Sequence, residues 1–212
     1  MSVRTLVICA DTWHPAETLR RGLGALGDCG FDFEYLEDDT QWSPIRMNEY
    51  SLAILAKANL AAAATDRRWL TAESHQAFAD YVRRGSGLVA VHSGTAGYNR
   101  LPAMRRLMGG AFVRHPEECS VTMEPKNDHP LTEGIPCFTV RDEQYFVTME
   151  DVPADVFLHS RSEYGVQPAG WTRSEGKGRV GVLTPGHELE VWRHPSFQKL
   201  LLNLLDWTAR LS

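Results

Sequence analysis

Long apolar runs are missing from this sequence of 212 residues: none approaches the ~18–20 consecutive residues that a membrane-spanning helix requires. The opening residues, Met1-Ser2-Val3-Arg4-Thr5, also lack the extended apolar segment and small-residue cleavage site of a signal peptide. Cysteine is sparse. The four present, Cys9, Cys29, Cys119 and Cys137, are scattered with no CxxC spacing, so free thiols in a reducing, cytoplasmic compartment are the expectation. Positive charge is in deficit, with 22 Lys and Arg against 27 Asp and Glu and a formal net charge of -5. Such a surface has no general attraction for phosphate backbones, and neither a nucleic-acid nor a membrane partner is expected. Internal repeats, low-complexity tracts and linkers are absent too, which favours one domain over residues 1–212. With 43% hydrophobic and 23% charged residues, the chain has an ordinary globular balance and enough length for a sizeable core.

The apolar residues that are there fall into strand and helix patterns. Residues 4–10 are continuously apolar and β-branched, as in a strand buried on both faces. Pro15 opens a helix in which Leu19, Leu23 and Leu26 recur at helical spacing until Gly27 and Gly30 end it. Residues 31–36 alternate with period two, and residues 50–56 are again mostly apolar. Thr71, Glu73 and Ser74 begin a helix whose inner face carries Leu70, Ala77, Phe78, Tyr81 and Val82. After Gly85, residues 87–92 form another buried strand. This β-α-β-β-α-β order predicts an α/β fold, a mostly parallel, doubly wound sheet flanked by helices, with residues 6–10 and 88–91 as adjacent or near-adjacent central strands. Further on, residues 101–108 read as a helix, and residues 120–125, 138–149, 156–160 and 179–184 as strands. The chain closes on a helix over 195–211 with Phe197, Leu200, Leu201, Leu204, Leu205, Thr208 and Leu211 in one stripe.

Ligands of an open α/β sheet bind beyond the carboxyl ends of its strands. That rule singles out Asp11, Trp13 and His14 after the first strand, His92, Ser93 and Gly94 after residues 88–91, and Gly186 and His187 after residues 180–184. His14, His92 and His187 are therefore expected to meet in one cleft. Each also has a plain alternative: His92 as a partner for a helix N-terminus, His14 as a loop residue. His75, His159 and His194 read as structural, the last as part of a helix entry before Pro195. Asp142 and Glu143, adjacent acids in a strand-like stretch, point to opposite faces, and the inward one needs a histidine or a cation. A surface salt bridge is the plain alternative for this pair.

The turn Val91-His92-Ser93-Gly94 resembles a strand–nucleophile–helix elbow, but a histidine stands in the nucleophile's place and Ser93 comes one residue late. No cysteine is expected at a strand end near a histidine, so acyl-enzyme chemistry is disfavoured. Histidines with carboxylates suit general acid/base catalysis or a divalent metal, although no HExxH is present. The glycine-rich pieces Gly85-Ser86-Gly87 and Gly176-Lys177-Gly178 match neither a P-loop nor a dinucleotide fingerprint, and no nucleotide cofactor is expected.

Several stretches together resemble the ThuA-like, trehalose-utilisation family. They are GSGLVAVHS from Gly85 to Ser93, GGAFVRHP from Gly109 to Pro116, HPLTEG from His129 to Gly134, DEQYF from Asp142 to Phe146 and PAGWTR from Pro168 to Arg173. The run GKGRVGVLTPGH from Gly176 to His187 and the helix around Phe197 to Trp207 complete a pattern that spans nearly the whole chain. The resemblance implies a fold like that of class I glutamine amidotransferases, a flavodoxin-like three-layer sandwich, with a histidine where those enzymes carry their nucleophile. It also implies a connection to catabolism of trehalose or related disaccharides and their keto derivatives.

The leading expectation is an enzyme acting on a sugar or keto-sugar, hydrolase- or lyase-like, and not a cysteine-dependent amidotransferase. His92, His187, Glu143 and Asp142 are the catalytic candidates. His14, His92 and His187 are candidate ligands of Zn²⁺ or a similar divalent ion, with His115 secondary. Trp13, Ser93, Tyr98, Tyr145 and Trp171 are candidate sugar contacts. The rival reading is a non-catalytic sugar-binding or regulatory module using the same cleft. A small-molecule sugar is the expected partner in either case, and association into a homo-oligomer is left open.

Overall fold

The computed structural model describes residues 2–60 and 67–210. Its central strands are the continuous apolar runs. In β1 (Val3–Cys9) the last five residues are buried, and in β3 (Leu52–Ala56) and β4 (Gly87–Val91) every residue is, as strands covered on both faces require. With β2 (Phe31–Leu36) and β11 (Gly178–Leu183) they pair in parallel in the order β2-β1-β3-β4-β11. One strand, β3, therefore separates β1 from β4. Past β11 the sheet turns antiparallel through β10 (Gly165–Glu175), β9 (Asp155–Ser162), β6 (Cys119–Pro125) and β7 (Phe138–Asp142), making nine strands in all. A two-stranded ribbon of β5 (Gly110–Arg114) and β8 (Phe146–Met149) accompanies it.

Alternating side chains divide the core into two layers. Val7, Ile54, Val89 and Leu183 pack with α1 (Ala16–Gly24), α5 (Leu189–Arg193) and α6 (Pro195–Ala209). Leu6, Leu55, Leu88 and Val182 pack with α2 (Pro44–Met47), α3 (Gln76–Arg83) and α4 (Pro102–Met108). The result is the expected α/β class, a mostly parallel sheet between helical layers. The α6 stripe is buried from Phe197 to Thr208, and Leu211 lies outside the described residues. No helix among the described residues is long and apolar enough to cross a membrane.

Three stretches differ from their sequence reading. Residues 138–149 are not one strand: β7 pairs with β6 as far as Asp142, and the chain then leaves to pair as β8 with β5. β10 was not anticipated, because Pro168 and Gly170 shift its register on β9 and blur the alternation that marks a strand. The helix expected from Thr71 starts at Gln76. Ahead of it, Ser74 Oγ accepts from the Thr71 N–H at 2.9 Å, and such local bonds compete with helix.

Gly94 fixes how closely the turn after β4 can approach β3. A Cβ there would lie 1.8 Å from the Leu55 carbonyl oxygen, whereas nothing lies within 4 Å of one built on Gly24 in α1. Gly94→Ala is expected to destabilise the protein by about 3 kcal/mol or more, since backbone cannot yield as a side-chain tip can. Gly24→Ala is expected to be stabilising by about 0.5–1 kcal/mol through helix entropy. Urea denaturation of the two variants checks both signs.

Candidate active site

The loops leaving β1, β3, β4 and β11 gather at one edge of the sheet, around the point between β1 and β3 where strand order reverses. After β1, Asp11 forms an Asx-type turn: its Oδ1 accepts the backbone N–H of Trp13 and His14 at 3.0 and 3.1 Å, and Oδ2 accepts that of Ala58 at 2.8 Å. Oδ1 also holds His14 Nδ1 at 2.7 Å, which leaves Nε2 aimed inward. Burial alone would raise the Asp11 carboxyl, but the His14 contact and the backbone donors outweigh it and hold the pKa below the usual carboxylate value.

After β4, His92 occupies the left-handed region at φ 46°, an uncommon conformation for a residue with a Cβ. Its Nδ1 donates to the Thr184 carbonyl at 2.8 Å, so Nε2 of the neutral ring carries a lone pair toward the loops. The ring stacks on Tyr145 at 4.1 Å between centroids. Burial drives the pKa down to about 4, against the raising contacts with Glu143 and Thr184.

After β11, Gly186 at φ 138° turns the chain so that its N–H and that of His187 both donate to Asp142, at 2.9 and 3.0 Å. Asp142 is thus engaged by backbone and does not face the histidines. Burial pushes its carboxyl up to about 7, against these donors that favour the charged form. Glu143, next along the chain, points the other way. Its Oε2 stands 3.4 Å from His92 Nε2 and 3.3 Å from His187 Nδ1, and its Oε1 stands 3.6 Å from His115 Nε2. Burial acts to raise the Glu143 pKa, but His92, His187 and His115 outweigh it and the net direction is downward.

His14, His92, Glu143 and His187 each place one donor atom within 4.8 Å of the others. His14 Nε2, His92 Nε2 and His187 Nδ1 are buried and have no hydrogen-bond partner. The cluster therefore sets imidazole lone pairs against one another and against a carboxylate, an arrangement that a cation or a shared proton would relieve. A cavity of about 560 Å³ opens beside it. Trp13, Leu60, Phe112 and Tyr145 form apolar walls, while His115 and Glu143 present polar atoms.

The structure separates the other candidates. Trp13, 52% exposed, and Tyr145 line the cavity, whereas Ser93 is buried beneath His92 in a small void of about 20 Å³. Tyr98 and Trp171 are not sugar platforms. Both are 0% exposed, Tyr98 donating from its hydroxyl to the Lys57 carbonyl at 2.6 Å and Trp171 from its indole to the Met108 carbonyl at 2.7 Å. His115 stands outside the four-atom cluster, on the cavity side of Glu143. Contrary to expectation, a cysteine does sit at a strand end near histidines: Cys9 ends β1 and lines the small void with His14 and His92. Burial pushes its thiol up to about 12, so it is protonated and poorly nucleophilic. Asp11, placed at a strand end by sequence, emerges as the carboxylate that orients His14; its three-residue spacing from that histidine was the available signal. A larger groove of about 660 Å³ lies elsewhere, and there His129 is paired with Asp155 at 3.1 Å and Arg173 donates to the Leu107 carbonyl at 2.8 Å.

The low His92 pKa has a stability consequence. Between about 4 and 6.5 the unfolded chain binds a proton that the folded one excludes, so this residue makes stability fall as pH drops through that window. Asp142, with its raised folded pKa, contributes in the opposite direction, favouring the folded state as pH falls from about 7. His92→Gln removes only the first contribution. In chelator-treated protein, the variant is expected to lose less stability than wild type between pH 6.5 and 4, read from urea midpoints at each pH.

The sequence model of the ThuA family, described as trehalose utilisation, matches residues 10–208. No curated protein matches the chain. Among solved structures, a ThuA-like protein from Parabacteroides merdae superposes with a TM-score of 0.77 at 18% identity, over 99% of this chain and 90% of that one. A ThuA-like protein from Bacteroides uniformis gives 0.76 at 20% identity, over 97% and 91%. A cytoplasmic protein from Salmonella typhimurium gives 0.70 at 11% identity, over 97% and 99%. At these identities the structures speak for the fold, and the match over residues 10–208 speaks for descent: the chain belongs to the ThuA, trehalose-utilisation family.

Proposed function

We propose that this protein is a carbohydrate-processing enzyme whose chemistry runs at a divalent metal centre held by His14, His92, His187 and Glu143. The observation that carries the reading is the set of unpartnered, buried imidazole nitrogens converging with a carboxylate within 4.8 Å. Their tautomers suit metal binding: His14 gives its Nδ1 to Asp11 and His92 gives its Nδ1 to the Thr184 carbonyl, leaving Nε2 as the donor in each ring. Three nitrogens and one oxygen form a donor set appropriate to Zn²⁺ or a similar ion. When bound, such an ion would supply Lewis-acid polarisation of a sugar carbonyl or hydroxyl.

The remaining residues have separable tasks. Trp13, Phe112 and Tyr145 offer the aromatic and apolar walls against which the faces of a sugar ring pack and water is excluded. His115 donates its Nδ1 hydrogen to the Pro116 carbonyl at 2.8 Å, so its Nε2 is the atom placed to accept or return a proton at the cavity. Asp142 holds the His187 loop through backbone and touches no substrate. Family membership and the cavity's size point to a disaccharide or its keto derivative as the substrate class.

Elemental analysis of protein purified without chelator or affinity tag is expected to find about one divalent ion per chain, with thermal stability rising on Zn²⁺ addition. His14→Ala should lose the ion. His92→Ala should lose turnover of a keto-disaccharide by on the order of 10²–10⁴ or more, while His115→Ala keeps the metal and loses turnover. Metal-free protein unaffected by Zn²⁺ or Mn²⁺ would overturn the metal centre. Sugar binding without turnover of any disaccharide or keto-disaccharide would turn the reading to a binding module.

A further inference from the structure

His14 and His92 each fix their outward nitrogen with a defined acceptor, a carboxylate and a main-chain carbonyl. His187 turns Nδ1 to the cluster, so its Nε2 faces outward and needs an acceptor of the same kind if Nδ1 is to keep its lone pair. Two carboxylates stand near that atom: Glu118 Oε1 at 3.7 Å and Glu188 Oε1 at 3.9 Å. They differ in how they are held. Glu118 lies just before β6, and its other oxygen accepts from Arg141 Nε of β7 at 3.1 Å across the β6–β7 ladder, which limits where Oε1 can go. Glu188 is about half exposed, and its side chain has no partner among the described residues besides His187.

We infer that Glu118, tethered by Arg141, is the positioning residue for His187: a small shift from the 3.7 Å separation lets its Oε1 accept the Nε2 hydrogen and so aim the Nδ1 lone pair at the metal centre. The inference rests on the metal centre proposed above and adds a residue to it from β6. Glu118 touches neither the cavity nor the other three donor atoms. A carboxylate behind an imidazole raises its basicity and freezes its ring orientation, and loss of such a partner typically weakens metal binding roughly 10–100-fold. Removing an exposed ion pair with arginine should leave the fold's stability nearly unchanged.

The test is Zn²⁺ affinity by competition with a chelating dye near neutral pH, on wild type, Glu118→Ala, Glu118→Gln and Glu188→Gln, alongside melting of the metal-free proteins. Glu118→Ala is expected to bind Zn²⁺ roughly 10–100-fold more weakly at unchanged stoichiometry and unchanged metal-free melting temperature. Glu118→Gln, whose amide oxygen can still accept from Nε2, is expected to recover part of the loss, and Glu188→Gln to stay within about twofold of wild type. In Co²⁺-loaded protein, Glu118→Ala should also alter the visible d–d absorption, which a bystander carboxylate would not. Glu118→Ala binding as tightly as wild type overturns the role of Glu118 while leaving the metal centre intact. Stoichiometry falling by one ion in that variant would make Glu118 a direct ligand of a second ion and overturn it as well. Wild type that binds no Zn²⁺ sinks the centre itself, and this role with it.

Discussion

The carboxylate of Asp142 bonds across the molecule, from the end of β7 at the antiparallel margin to the loop that follows parallel strand β11. Its two oxygens accept the backbone N–H groups of Gly186 and His187. Burial opposes the charge and the backbone donors favour it, so the contact stands on the balance between them. The consequences run in both directions along the chain. On one side the donated N–H groups set the orientation of His187. On the other, engaging Asp142 forces the next residue, Glu143, to face the opposite way, where the histidines are. The break between β7 and β8 is the backbone expression of the same constraint.

The parallel half brings the remaining groups together by ordinary α/β geometry. Strands β1, β4 and β11 end at one edge, and each is followed by a histidine: His14 is held by the neighbouring Asp11 carboxylate, His92 by the Thr184 carbonyl that follows β11, and His187 by the turn at Gly186. The elbow after β4 keeps the sharp conformation of a nucleophile turn, with Gly94 packed on β3 and a strained residue at its apex. What stands at that apex is an imidazole, in the place where a nucleophile elbow carries a serine or cysteine. Cys9, which lines the small void with His14 and His92, is held protonated by burial.

The site also has a clear inside and outside. The buried imidazole nitrogens lie beneath, while the cavity above mixes aromatic walls with His115 and the second oxygen of Glu143. That division suits a ligand with an apolar ring face and polar edges. It also explains why His115, alike in residue type to the others, has a different place. Its Nδ1 is bound to the neighbouring Pro116 carbonyl, and the ring leans on Tyr145 rather than turning to the cluster.

Strand ends and helix stripes were legible in the sequence because they depend on local periodicity: continuous apolar runs for β1, β3 and β4, and three-four spacing for α6. The histidine set was legible for the same reason, since His14, His92 and His187 each follow a strand whose apolar run stops abruptly. What periodicity could not decide is anything set by contact between distant segments. Asp142 and Glu143 are equivalent in sequence, and only the 186–187 backbone assigns one to the loop and the other to the cluster. Tyr98 and Trp171 were candidate sugar contacts because an aromatic side chain reads alike in sequence whether it lines a cavity or fills a core, yet their polar tips are spent on carbonyls of other elements. β10 escaped because its bulge breaks the alternation, and Glu118 because its meeting with His187 spans 69 residues of chain. The sequence by itself determined the layers and the strand-end histidines, which follow from side chains acting on their own neighbours. The tertiary structure alone decided which acid meets which imidazole, because hydrogen-bond and ion-pair partners far apart in sequence leave no periodic trace.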